Sequence, residues 1–198
     1  MDETTPKYDP AKLWNTGTHN TTLLSTNQGD KSTYPFAFLQ AAHAMAKKMV
    51  EDDMAIDIAF YPALYLFRHG IEVSFKELLS TYDYEQKASP PTRITHDLRK
   101  LWDELKPHLK KEDTDGSGAS QIDYVEKVVA AIHQEDPNGE AARYHTDNSG
   151  NPTLGPVKFA NTAVFEEMCA LSSESLRLIL GQRLETESAL RQERGVRP

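Results

Sequence analysis

Apolar residues recur every three to four positions along most of the chain after Pro35, which is the period of one face of an α-helix. Phe38, Ala42, Met45 and Met49 follow this spacing and predict a first helix over 35–52. The most apolar stretch, YPALYLFRHGIEVSFKELLSTY, predicts a second helix over 61–82. Its apolar residues cover so much of the helix circumference that we expect it at the centre of the core. Similar patterns predict helices over 96–110, 120–135 and 161–192.

The residues between these segments are those that begin and end helices. Pro35 and Pro62 suit first helical turns, where a missing N–H costs nothing. Either Thr95 or Asp97 is suited to cap the third helix and Ser120 to cap the fourth, which the turn sequence DPNG after residue 135 ends. The chain is therefore expected to be all-α, a single up-and-down bundle of about five helices over 35–192. Residues 1–34 form an irregular N-terminal arm and 193–198 a short tail.

The charge balance limits how the protein can meet nucleic acid. Lys and Arg number 22 against 30 Asp and Glu, a net charge of -8, so a basic footprint must be local. The single Cys169 excludes an internal disulfide, and its place near an apolar helix face predicts a buried thiol. No run approaches the roughly 18 apolar residues of a membrane span, and the N-terminus has no apolar signal segment. We expect a cytoplasmic protein that does not contact membranes.

A charged stripe on the second helix is the main candidate for chemistry. Arg68, Glu72 and Lys76 lie four residues apart and so share one side of the helix, with His69 beside them. On an otherwise apolar helix this stripe is expected to face solvent, a groove or a partner. It is either a solvated face supported by a Glu72–Lys76 pair, or a polar groove. In the groove, Arg68 and Lys76 would hold a phosphate and His69 would transfer a proton.

Two further positions combine histidine with basic or capping residues. His96 precedes the third helix and is either a proton donor or a residue that closes the loop by hydrogen bonding. Arg143, Tyr144 and His145 lie in a long loop after the fourth helix. There, Arg143 is suited to stabilise charge and His145 to act as acid or base in phosphodiester cleavage. The alternative is that Arg143 and Tyr144 anchor the loop, for example through an Arg143–Glu72 pair.

Metal and cofactor motifs are weak or absent in the sequence. Residues 113–118, DTDGSG, look like the first half of an EF-hand calcium loop, but the twelfth position is Tyr124 where a bidentate Glu is needed. We therefore favour a solvated linker. The sequence has no paired-Cys metal site, no HExxH and no Gly-rich phosphate loop, so we predict no metal and no cofactor.

The segment YPALYLFRHGIEVSFKELL, followed by a loop and THDLRKLWDEL, resembles the HEPN superfamily. DPNGEAARYHTD is similar to a loop of some bacterial HEPN-like proteins, and the resemblance covers about 36–190. It implies an all-α bundle that commonly dimerises. It also implies a role in toxin–antitoxin, CRISPR or phage-defence systems, often as a metal-independent ribonuclease. The family's nuclease motif, an Arg followed after four to six residues by a His, is not found from any Arg of this chain.

Two classes of function follow. The first is a HEPN-like nuclease or toxin component acting on RNA. The second is a non-catalytic helical module that acts as a homodimer or adaptor and binds RNA, a nucleotide or a protein from the same operon. For both we expect one groove. Its candidate residues are Arg68, His69, Glu72, His96, Arg143 and His145 for catalysis, and Lys76, Arg99 and Tyr144 for phosphate or ligand binding.

Overall fold

The computed structural model describes residues 33–86, 95–147, 149–154 and 159–195. It contains five helices, α1 (Thr33–Val50), α2 (Ile56–Glu85), α3 (Leu98–Glu112), α4 (Ala119–Glu135) and α5 (Thr162–Glu193). No strand occurs in these ranges, and the prediction of an all-α bundle is confirmed. Of the predicted arm and tail, 1–32 and 196–198 lie outside the described residues. Thr33 and Tyr34, which we assigned to the arm, already belong to α1.

Each helix packs against the next one in the chain, and α5 also packs against α1 and α2 to close the bundle. The core runs along α2, where Phe67, Ile71, Phe75 and Leu78 are almost fully buried. α2 contacts α1, α3 and α5. The prediction that this apolar helix lies at the centre of the core is therefore confirmed. None of the described helices combines the length and apolar character that a bilayer span requires.

α2 begins at Ile56, before the predicted start at residue 61, and Pro62 lies inside the helix. A proline there removes one backbone hydrogen bond and is normally unfavourable. Packing of the residues before it offsets this cost. Ala59 is buried, and the ring of Phe60 lies 5.2 Å from that of Phe165 on α5.

The helix starts are fixed by side-chain caps at α3 and α5. Asp97 Oδ1 accepts hydrogen bonds from the backbone N–H groups of Arg99 and Lys100, which confirms Asp97 as the cap of α3. Asn161 caps α5 in the same way. The prediction of Ser120 as a cap is wrong: Gly118 occupies the cap position of α4, and Ser120 lies in the first turn.

α1 and α2 approach closely at Gly70. A Cβ atom at this position would lie 2.7 Å from Leu39 Cγ and 3.1 Å from the backbone nitrogen of Leu39. The helices therefore meet through backbone, and the contact has no room for a methyl group. Gly181, on α5, is the contrasting case, because no neighbouring atom lies within 4 Å of its Cβ position.

We expect Gly70→Ala to lower the free energy of unfolding by about 1–3 kcal/mol, the usual range for overpacking a core. The same change at Gly181 should raise it by about 0.4–1 kcal/mol, because alanine restricts the unfolded chain and nothing obstructs its methyl group. Urea denaturation followed by circular dichroism measures both values. A Gly70→Ala protein as stable as the wild type would contradict the close helix contact.

Candidate functional site

The guanidinium of Arg68 is buried in the core and ion-paired on two sides. Its Nη1 lies 3.1 Å from Glu72 Oε2 and its Nε 3.2 Å from Asp136 Oδ2. Its Nη2 donates to the backbone carbonyl of His96 at 2.5 Å. Arg68, Glu72 and Asp136 are each less than 5% exposed. The expectation that the charged stripe faces solvent or a groove is therefore wrong for Arg68 and Glu72.

The second carboxylate oxygen of Glu72 is also engaged. Oε1 accepts a hydrogen bond from Lys76 Nζ at 2.7 Å and lies 2.9 Å from His96 Nδ1. Burial works to raise the pKa of Glu72, but the hydrogen bonds and charges of Lys76 and His96 outweigh it and lower the pKa. Glu72 is thus an ionised carboxylate with both oxygens occupied. A group in this state is suited to hold neighbouring chain segments rather than to exchange a proton with a ligand.

The loop after α4 is built directly onto Arg68. Asp136 Oδ1 accepts hydrogen bonds from the backbone N–H groups of Glu140 and Ala141, which closes a tight turn. Gly139 has a positive φ of 78°, and a Cβ there would lie only 2.6 Å from Arg68 Cζ. Glycine is needed both for the backbone angle and for the close approach. Arg68, rather than Arg143, pairs with Glu72 and fixes this loop.

Apart from Arg99, the predicted site residues separate into three places. Lys76 and the exposed side chain of His96 meet the buried Arg68 and Glu72 in one cluster. His69 lies on another side of α2, against the rings of Phe38 and Tyr65. The third place, reached by Arg143, Tyr144 and His145, is a groove on the surface. The expectation of a single groove therefore does not describe the geometry.

Arg99 has a structural partner on the neighbouring helix. The carboxylate of Glu126, on α4, accepts hydrogen bonds from Arg99, Trp102 and Lys106 of α3. The hydrogen bond from Lys106 and then that from Arg99 lower the pKa of Glu126 to about 2. Arg99 thus joins α3 to α4, and it does not line the groove of Arg143.

The groove has a volume of about 350 Å³ and lies between Tyr61 of α2 and the loop segments 141–145 and 152–154. Thr153 joins the two segments. Its backbone N–H donates to the carbonyl of His145 at 3.2 Å, and its hydroxyl oxygen lies 3.1 Å from the carbonyl of Ala141. The Arg143 Nε atom donates to the carbonyl of Gly139 at 2.6 Å. These bonds hold Arg143, Tyr144 and His145 at the exposed edge of the groove.

Two clefts of the molecule differ in charge. The described residues that line the Tyr61 groove include Arg143 and His145 but no carboxylate. A second cleft of about 510 Å³ is lined by Glu85, Glu112, Asp113 and Asp115, with the buried Arg183 paired to two of them. Of these two clefts, the Tyr61 groove is therefore the one suited to an anionic ligand.

The calcium-like segment and the cysteine have ordinary structural surroundings. Asp113 and Asp115 accept backbone hydrogen bonds from Gly118 and Ser117. Within the ranges that the structure describes, no three His, Cys, Asp or Glu residues are grouped so as to hold a metal ion. Cys169 is fully buried, as predicted, and its burial raises the pKa of the thiol.

Sequence reasoning missed Asp136, Gly139 and Tyr61. Asp136 and Gly139 were interpreted only as a helix stop, and Tyr61 only as the residue before a helix-starting proline. The sequence holds a signal for Asp136, since an arginine on an otherwise apolar helix requires a carboxylate partner if it is buried. Nothing in the sequence indicates that Tyr61 faces the loop.

Comparisons with known proteins return no match from family models, from curated proteins or from solved structures. The resemblance to the HEPN superfamily therefore stays a prediction that rests on the segments quoted above.

Replacing Arg68 by methionine should lower the free energy of unfolding by about 3–5 kcal/mol, because the Asp136 carboxylate loses its buried counter-charge. Arg177→Met is the matched control. Arg177 pairs with Glu174 on the exposed surface of α5, and losing such a solvated pair should leave the free energy of unfolding nearly unchanged. Urea denaturation gives both values. Hydrogen exchange should also show faster exchange of the Glu140 and Ala141 amides in Arg68→Met; unchanged exchange would contradict the role assigned to Arg68.

Proposed function

We propose that the protein binds single-stranded RNA in the groove formed by Tyr61, Arg143, Tyr144 and His145, and that it does not cleave it. The observation that carries this proposal is the composition of the groove. In a chain of net charge -8, the part of its lining that the structure describes holds an arginine, a histidine and two tyrosines without a carboxylate. Cationic side chains for phosphates beside aromatic rings for bases are the combination that single-stranded nucleic acids bind.

Arg143 is the residue suited to a phosphate. Its guanidinium lies 5.3 Å from the centre of the Tyr144 ring, close enough for a cation–π contact. The hydrogen bond to Gly139 fixes the side chain before a ligand arrives, so less conformational freedom is lost on binding. Because the positive charge is local, we expect RNA to bind at this groove alone, with an affinity that depends strongly on salt concentration.

The buried cluster argues against catalysis. Arg68 and Glu72, two of our catalytic candidates, are occupied by each other and by Asp136, Lys76 and His96. General acid–base cleavage of RNA needs one group to take a proton from the attacking hydroxyl and one to protonate the leaving oxygen. Among the described residues, the groove lining offers a single imidazole, that of His145. This supports the non-catalytic alternative over a ribonuclease.

Arg143→Gln should weaken binding of a fluorescent single-stranded RNA and reduce the slope of log affinity against log salt by about 0.7, the contribution of one phosphate contact. Fluorescence anisotropy over a range of KCl concentrations measures both quantities. Arg177→Gln, an exposed arginine of α5 outside the groove, is the control and should leave both unchanged. Equal losses in the two variants would mean that binding is unspecific.

The absence of cleavage is tested with the same protein. Total RNA incubated with the wild type in EDTA should stay intact. If RNA is cut, and His145→Ala abolishes the cutting, the non-catalytic part of the proposal is wrong and the ribonuclease alternative replaces it.

We also propose that the protein forms a homodimer through α5. Val164, Leu171 and Leu178 repeat every seven residues along this helix, and each is between 43% and 50% exposed. Such a stripe is typical of a helix that packs against another helix. A defence role and a protein partner from the same operon follow only from the HEPN resemblance and stay predictions.

Light scattering at tens of micromolar should give twice the 22.3 kDa mass of the chain. Leu171→Glu should shift the protein to the monomer, because it places a charge in the centre of the stripe. Phe159→Glu changes a more exposed apolar residue that lies outside α5 and should leave the dimer intact. A monomeric wild type would rule out the dimer.

A further inference from the structure

Aromatic side chains form a strip that starts at the groove. Tyr61, Tyr65 and His69 are spaced by four residues on α2, so they lie one above another on successive turns. From His69 the strip continues onto α1 through Phe38 and ends at Tyr34. We call these five residues the aromatic strip.

Four rings of the strip are in ordered contact. Tyr65 and His69 are stacked, with centroids 5.7 Å apart and planes 14° apart. Phe38 meets His69 edge-on at 4.5 Å, and Tyr34 meets Phe38 edge-on at 5.1 Å. The half-buried middle rings therefore support Tyr34, which is 60% exposed. Tyr61, one turn before Tyr65, is 49% exposed at the other end.

The strip adjoins the cationic edge of the groove. Tyr61 belongs to both, since it also lines the groove with Arg143. Burial lowers the pKa of His69, against the opposing charge of Glu72. The positive charges of Lys76, Arg68 and Arg143 lower it further. The imidazole is then uncharged at neutral pH and stacks on the ring of Tyr65 as part of the strip.

We infer that the aromatic strip binds the bases of a single-stranded RNA whose phosphate is held at Arg143. This inference rests on the proposed RNA binding. Bases stack on aromatic side chains whatever their sequence, because every base has a π-face. The ligand is therefore an oligonucleotide with little sequence preference, not a mononucleotide.

The length of the strip sets the length of RNA that it accommodates. Eight residues separate Tyr61 from His69, which is about 12 Å along a helix axis. A stacked single strand advances about 3.4 Å per nucleotide. The α2 part of the strip thus spans about three to four nucleotides, and the steps of 4.5 and 5.1 Å from His69 through Phe38 to Tyr34 extend the strip to about six. Affinity should therefore rise with length up to about six nucleotides and then level off.

Two RNA probes separate base binding from phosphate binding. One is a single-stranded oligonucleotide of about six nucleotides, long enough to reach Tyr34, and the other is an abasic oligonucleotide with the same number of phosphates. Fluorescence anisotropy should show tighter binding of the intact RNA. Tyr61→Leu and Tyr34→Leu should each weaken it by at least about fivefold, the loss of one stacked base, and Tyr61→Phe should retain it.

Tyr84→Leu is the matched control. Tyr84 lies near the opposite end of α2 with its ring against Arg191 and Arg194, so it repeats the Tyr–Arg arrangement away from the groove. Its replacement should leave RNA affinity unchanged. Circular dichroism of each variant checks folding, and the exposed Tyr34 provides a replacement that leaves the core untouched.

The outcomes distinguish the strip from the proposed function. Equal affinity for intact and abasic RNA, with sensitivity to Arg143→Gln, would overturn base binding by the strip and leave phosphate binding in place. No affinity for either probe would overturn both. Tighter binding of intact RNA, weakened by the strip variants and by Arg143→Gln but not by Tyr84→Leu, supports the inference.

Discussion

The ion pairing of Arg68 in the core is the interaction on which the arrangement of the other parts depends. A guanidinium removed from water is costly unless carboxylates and carbonyls surround it. Glu72 comes from the same helix, Asp136 from the end of α4, and the His96 carbonyl from the segment before α3. Satisfying one side chain therefore sets the positions of α2, the start of α3 and the loop that carries Arg143.

Several carboxylates of this acidic chain have defined positions. Some pair with buried arginines, as at Arg68 and Arg183, and others line the cleft between α3 and α5. The described lining of the Tyr61 groove contains no carboxylate. A protein with a net negative charge can thus have a local site for anions, because the electrostatic potential in a cleft depends mainly on the charges that line it.

The helices could be predicted because burying one face requires apolar residues at the helical period within each segment. The start of α2 could not be predicted, because the contact of Phe60 with Phe165, far along the chain, offsets the cost of Pro62. The burial of Arg68 was equally hidden, because its partner Asp136 is 68 residues away. Arg143 and His145 were recognised as a pair in a loop, but which helix faces them depends on the path of that loop.

The contact between Gly139 and Arg68 links two positions that lie far apart in the sequence. A side chain at 139 would enter the volume of the guanidinium, so position 139 can change only after position 68 has become smaller. The positive φ at 139 adds a second restriction, which asparagine meets better than a branched residue. Homologous sequences should therefore vary at these positions together, with glycine retained wherever arginine is retained.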